Sequence, residues 1–227
     1  ADNLQAVRAR VDAAAVAAGR APGDVALLAV SKTWPAEFVA EAAGCGQRAF
    51  GENYAQEGVD KIALLADLGL EWHFIGPLQS NKSRLVAEHF DWVHSVDRLR
   101  IAERLSAQRP LSLPPLKVCL QVNVSGEASK SGATPSALPS LAHAVAVLPR
   151  LELRGLMCIP EPTPDETILR QRFSLLRSLL EDLRSEGLVL DTLSMGMSHD
   201  VEQAIAEGAT MVRVGTAIFG ERQRRQG

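Results

Sequence analysis

Three cysteines are all that this chain of 227 residues contains, and Cys45, Cys119 and Cys158 stand far apart. No Cys-x-x-Cys pair or even-numbered framework is present, which excludes a disulfide scaffold and points to a reducing compartment. Cys119 and Cys158 lie inside apolar runs and read as small core residues. Charge of one sign is equally scarce. The 24 Lys and Arg against 27 Asp and Glu leave a formal net charge of −3, too little for a field that would gather nucleic acid or an anionic membrane. The locally basic end, Glu221-Arg222-Gln223-Arg224-Arg225, is short and reads as solvated. No apolar run reaches membrane-spanning length, and no charged start followed by an apolar stretch opens the chain. A soluble, cytoplasmic protein with neither nucleic-acid nor membrane partners is expected. Linkers, repeats and low-complexity tracts are missing too. With 46% hydrophobic residues, residues 1–227 read as a single domain able to bury a core.

What is present is an alternation of two textures. Short β-rich runs occur at Val25–Val30, Arg48–Phe50, Trp72–Ile75, Trp92–Ser95, Lys117–Val122, Glu152–Cys158, Thr192–Ser194 and Met211–Val214. Segments with helical spacing separate them, such as Leu99-Ile101-Ala102-Leu105 and Phe173-Leu175-Leu176-Leu179-Leu180-Leu183. Thr134-Pro135 and Thr163-Pro164-Asp165-Glu166 are expected to open helices, the second as a capping box, and Gly19 follows the first helix. Eight strand–helix units in a chain near the usual size of roughly 250 residues predict an α/β fold, a (β/α)8 barrel. The helix over Leu4–Ala18 is an extra N-terminal element. An open doubly wound sheet competes, but the strand count is eight and no dinucleotide fingerprint appears.

Lys32 ends the run Leu27-Leu28-Ala29-Val30-Ser31, where a buried strand gives way to a helix opened by Thr33-Trp34-Pro35. In an α/β barrel that is the rim where ligand sites form. There a lysine is either a solvated loop residue or, with its pKa lowered, an amine able to capture an aldehyde as a Schiff base. Near the other end of the chain, Ser194-Met195-Gly196-Met197-Ser198 joins a strand to a helix expected to start near His199. Ser198 would be its N-cap, and the small residues would turn N–H groups toward a phosphate. Arg213 sits within the apolar run Val212–Phe219, ahead of Gly215-Thr216. If Val212 and Val214 face the helices, alternation turns Arg213 into the barrel mouth. Barrels often bind phosphate with the loops after strands seven and eight, and strand eight neighbours strand one. An amine beside a phosphate cradle suits pyridoxal 5′-phosphate (PLP), and equally a sugar phosphate in an aldolase. Asn53, in Phe50-Gly51-Glu52-Asn53-Tyr54, can bond a ligand hydroxyl or cap a helix. His73 reads as a satisfied core or rim histidine, since the five histidines show no zinc-type spacing.

These residues resemble a known family. Ala29–Thr33, Phe50–Tyr54, His73–Gly76, Leu78-Gln79, Asn81-Lys82, Ser194–Ser198 and Arg213–Gly220 are similar to the pyridoxal phosphate homeostasis proteins, the YggS/PROSC or alanine racemase N-terminal-domain-like family. The likeness runs in order from Leu4 to Glu221. It implies a TIM-like barrel of PLP fold type III with the cofactor on Lys32, and Ser198, Gly215, Thr216 and, less firmly, Ser194 around the phosphate. It also implies Arg213 at the pyridine nitrogen and Asn53 near the ring. Trp34 departs from the family, which often places a polar or charged residue before this proline. Lys130 matches a second frequent family lysine and is expected in a loop that can meet anionic ligands.

Racemases resembling this fold need an acid and a base on opposite cofactor faces, with a tyrosine brought by a second domain and a partner subunit. This chain's one tyrosine, Tyr54, is expected at a helix start. The resemblance therefore implies a PLP carrier that buffers or delivers the cofactor and serves vitamin B6 homeostasis, without efficient catalysis, and with apo PLP-dependent enzymes as acceptors. The lack of a second domain suggests a monomer. A weak amino-acid racemase and a Schiff-base aldolase are the alternatives.

Overall fold

A computed structural model of the chain describes residues 1–128 and 131–221. Eight parallel strands close in sequence order into a barrel, with the first and eighth paired. They are β1 (Ala26–Val30), β2 (Ala49–Glu52), β3 (Glu71–Phe74), β4 (Trp92–Val96), β5 (Leu116–Gln121), β6 (Leu151–Met157), β7 (Thr192–Ser194) and β8 (Met211–Val214). Helix α1 (Asp2–Ala17) precedes β1 as the extra element. After successive strands come α2 (Ala36–Gly44), α3 (Ala55–Leu64), α4 (Ser83–His89), α5 (Leu99–Gln108), α6 (Leu138–Ala146), α7 (Glu166–Ser185), α8 (Val201–Ala206) and α9 (Thr216–Phe219). The (β/α)8 expectation holds, and the strand ends lie within two residues of those expected, with β7 and β8 as expected. Lys130 and the basic end beyond Glu221 lie outside the described residues.

Pleat alternation sorts the strand residues into two cores. Ala29, Phe50, Phe74, Val93, Val118, Val212 and Val214 face outward and pack with the helices. On α7 the buried residues Leu169, Phe173, Leu176, Leu180 and Leu183 recur every three or four positions, giving one apolar stripe toward the barrel. Phe173 is fully buried, and its truncation to alanine should cost about 3–5 kcal/mol. The barrel interior is different. Leu28, Val30, Ile75 and Met211 form one small apolar cluster and Trp92, Cys119 and Met157 another. Alongside them the inner positions of β3, β4, β7 and β8 include His73, His94, Ser194 and Arg213, all buried.

Two helix starts differ from expectation. Asp165, not Thr163, caps α7: its carboxylate accepts the Thr167 and Ile168 N–H groups at 2.9 and 3.3 Å. Thr163 Oγ1 accepts instead from the Asp165 N–H at 3.1 Å. A carboxylate satisfies two orphan donors and complements the positive helix end, so it displaces the hydroxyl. Helix α6 begins at Leu138, since Thr134 Oγ1 takes the Ala137 N–H in a preceding turn.

Candidate functional site

With Leu28 and Val30 inward on β1, Ser31 turns outward and Lys32 turns to the barrel mouth, where it lines a cleft of about 320 Å³. Ser31 and the turn after it are braced from behind. The buried Ser31 hydroxyl donates to Glu52 Oε1 at 2.9 Å, and its carbonyl accepts from Lys61 Nζ at 2.8 Å. Lys61, buried on α3, also reaches Glu52 at 2.7 Å and Glu57 at 2.9 Å. Glu57 in turn accepts the Thr33 N–H at 2.5 Å. Thr33 has φ +67°, a left-handed conformation that disfavours a β-branched residue; this carboxylate helps hold it there. Burial pushes the Glu52 carboxyl up, against the opposing pull of Lys61.

The opposite wall belongs to β7, β8 and the turns after them. Val212 and Val214 pack outward, so Arg213 points inward and lines the cleft while only 3% exposed. Its Nη1 donates to Ser194 Oγ at 2.7 Å and its Nη2 to the Cys158 carbonyl at 2.9 Å. Both acceptors are neutral. Burial lowers the Arg213 pKa, but a guanidinium stays charged. Gly196, at φ +102°, turns the chain where a Cβ would lie 2.6 Å from the Ala204 Cβ, so only glycine fits. Gly215 brings the end of β8 against β1; a Cβ there would stand 3.2 Å from the Val30 carbonyl oxygen. These turns face each other, with Thr216 Oγ1 3.4 Å from Ser198 Oγ. Arg10 of α1 steadies the first by donating to the Ser198 carbonyl at 2.7 Å.

Lys32, Ser198, Arg213, Gly215 and Thr216 thus share one cleft, together with Trp34 and His199. Trp34 stacks on Phe219 at 6.1 Å between ring centroids. Ser198 is not a helix cap: α8 begins at Val201 after Asp200, whose carboxylate accepts the Met197 N–H at 2.6 Å. Neither side chain caps α8; the Ser198 hydroxyl faces Thr216 instead. Ser194 lies beneath the cleft as a hydrogen-bond partner of Arg213 and is not among the lining residues. Asn53 does not cap α3, where Tyr54 holds the cap position; its Oδ1 is buried without a protein partner. His73 is a satisfied core histidine, bonded through both ring nitrogens. The Glu52–Lys61–Glu57 cluster was not expected from the sequence. A signal existed: Lys61 falls on the buried stripe Ala55-Gly58-Lys61 of α3, and Glu52 shares the helix-facing side of β2 with Phe50. His94 was also missed, and its period-2 position beside Trp92 offered only a weak signal.

The family model described as alanine racemase, N-terminal domain, matches residues 3–223, which defines the class of barrel. A pyridoxal phosphate homeostasis protein of Pseudomonas aeruginosa is 65% identical over 222 residues, covering 98% of this chain and 95% of that one. Its Escherichia coli counterpart is 59% identical over 228 residues, with coverages of 98% and 96%. Among solved structures, PipY of Synechococcus elongatus PCC7942 with PLP bound is similar at a TM-score of 0.81 and 40% identity, covering 92% of this chain and all of PipY. The chain belongs to the family of the pyridoxal phosphate homeostasis proteins.

Proposed function

We propose that this protein holds PLP covalently through Lys32 and serves intracellular vitamin B6 homeostasis by buffering or delivering it. The observation that carries this reading is the convergence of Lys32, Arg213 and the paired Ser198 and Gly215-Thr216 turns on one cleft, backed by the names of the relatives. The residues present fit the group. Arg213 is a buried cation with five donors, two of which go to Ser194 and Cys158, so an acceptor in the cleft would complete it. Asn53, expected near the ring, does not line the cleft, and its Oδ1 is buried without a protein partner, so the fit rests on Lys32, Arg213 and the two turns.

When bound, the cofactor supplies an aldehyde that a lysine amine can capture reversibly. Lys32 provides that amine. The Ser198 and Thr216 hydroxyls, with the partnerless N–H groups that any helix start offers, hold the phosphate. Arg213 disfavours a proton on a facing pyridine nitrogen, because two positive charges would adjoin. That weakens electron withdrawal and suits holding over turnover. Tyr54, 55% exposed at the start of α3, does not line the cleft, which leaves no tyrosine to act across the ring. Apo PLP-dependent enzymes in the cytoplasm are the proposed acceptors, and a monomer the proposed state.

Lys32→Ala should lose the adduct that borohydride fixes in the wild type, and an adduct fixed undiminished at another residue would sink the assignment. Incubation with L-alanine should yield little D-alanine; turnover at enzyme-like rates, roughly 1–1000 per second, would contradict the carrier reading. Transfer of bound PLP to an apoenzyme, timed against release into a trap, separates delivery from buffering.

A further inference from the structure

The barrel interior contains an unbroken line of buried polar contacts that the cofactor reading does not use. Glu71, at the start of β3, places Oε1 2.7 Å from His73 Nε2. His73 Nδ1 lies 2.8 Å from His94 Nε2, and His94 Nδ1 lies 2.8 Å from Ser194 Oγ. Ser194 Oγ accepts from Arg213 Nη1 at 2.7 Å. The line therefore runs from the N-terminal end of the barrel to the cleft at its other end. His73, His94 and Ser194 have no exposed surface. The His73 ring stacks on Trp92, with centroids 5.1 Å apart.

The proton positions along this line follow from charge. Burial lowers the pKa of both imidazoles. The cations around them oppose a further positive charge: Arg213 from β8, and Lys117 of β5 and Arg154 of β6 over the Trp92 ring. Of the nearby carboxylates, Asp191 and Glu152 pair with Arg154, and Asp91 accepts the Trp72 N–H. The fourth, Glu71, meets His73, which lowers its pKa, so its carboxylate must accept. His73 then carries its proton on Nε2 and accepts at Nδ1. His94 must donate from Nε2 and accept at Nδ1. Ser194 must donate to His94, and its lone pairs are left to Arg213. With neutral rings, no other arrangement satisfies every contact.

We propose that Glu71, His73, His94 and Ser194 form a relay of one hydrogen-bond direction that fixes the Arg213 guanidinium toward the cleft, making His94 and Ser194 positioning residues for ligand binding. The ligand named here, PLP, rests on the function proposed above; the relay itself does not. Without a serine lone pair, Nη1 loses one of the guanidinium's two anchors, and Arg213 can swing within the cleft.

Nuclear magnetic resonance of the full chain labelled with 15N-histidine and 15N-arginine, free of PLP, tests the relay directly. His73 and His94 should both appear neutral with the proton on Nε2 from about pH 6 to 8, and the Arg213 side-chain N–H groups should exchange slowly. A proton on Nδ1 of His94, or ordinary titration of either ring, would overturn the proposal whatever any variant does. Ser194→Ala should speed Arg213 N–H exchange, and release of PLP from the loaded protein, by about tenfold, equivalent to about 1.4 kcal/mol. Ser194→Thr, which keeps the hydroxyl, should restore both. Exchange and release unchanged in Ser194→Ala would refute the positioning role. Wild-type protein that forms no adduct with PLP would break the cofactor reading and leave the ring protonation states standing as the measure of the relay.

Discussion

Lys32 and Arg213 face one cleft, yet the walls that carry them are held by opposite electrostatic means. The Lys32 turn is braced from outside the barrel by ions, with Lys61 between Glu52 and Glu57 beneath α3. Arg213 is braced from inside by neutral oxygens, Ser194 Oγ and the Cys158 carbonyl, backed by two histidines. A buried ion pair is costly to break because the surviving charge has no water. A buried cation on neutral acceptors has no such dependant, and its unsatisfied charge is available to a ligand. One wall is built to stay fixed and the other to receive.

The largest expected effect separates the two walls by deleting each cation. Lys61→Met strands Glu52, which is fully buried, and should cost about 3–5 kcal/mol in urea unfolding. Arg213→Met strands no charge and should cost less than about 2 kcal/mol in the ligand-free protein; equal costs would break the comparison. Next in size is the response to pH. His73 and His94 have lowered pKa values, so their contribution is present above the ordinary histidine value and is lost as pH falls below it. The slope is at most about 1.4 kcal/mol per pH unit for each ring. Glu52 has a raised pKa, so its contribution is present below the ordinary carboxylate value and is lost as pH rises through the raised one. Unfolding across pH should therefore show His94→Gln flattening the acid-side loss and Glu52→Gln flattening the loss at higher pH. The smallest effect is expected from Glu57→Gln. It weakens the charge-assisted bond to the Thr33 N–H by about 1 kcal/mol, visible as faster amide exchange at Thr33 with little change in global stability.

That Lys32, Ser198, Arg213, Gly215 and Thr216 gather at one barrel mouth was legible because strand ends mark that rim and period-2 alternation turns Arg213 toward it. Ser198 was placed at the cleft for a partly wrong reason: it was expected to cap a helix starting near His199, but α8 starts two residues later at Val201 with no side-chain cap, and the Asp200 carboxylate instead accepts the Met197 N–H within the turn. The family resemblance placed Ser194 around the phosphate, whereas its inward place in β7 sets it one layer below the cleft lining, against Arg213. The relay and the arginine it anchors join four strands, with His94 and Ser194 100 residues apart, and no local pattern connects such positions.

By itself the sequence determined the alternation of eight apolar runs with eight amphipathic segments, and hence the (β/α)8 order and which residues of each strand share a face. Local periodicity encodes that much, because burial of the apolar stripe drives each element. Only the tertiary structure decided which polar groups meet inside the barrel: Lys61 with Glu52, and His73 through His94 to Ser194 and Arg213. Those contacts depend on the register of strands far apart in the chain. Once water is excluded, every buried donor and acceptor must find its partner across that register.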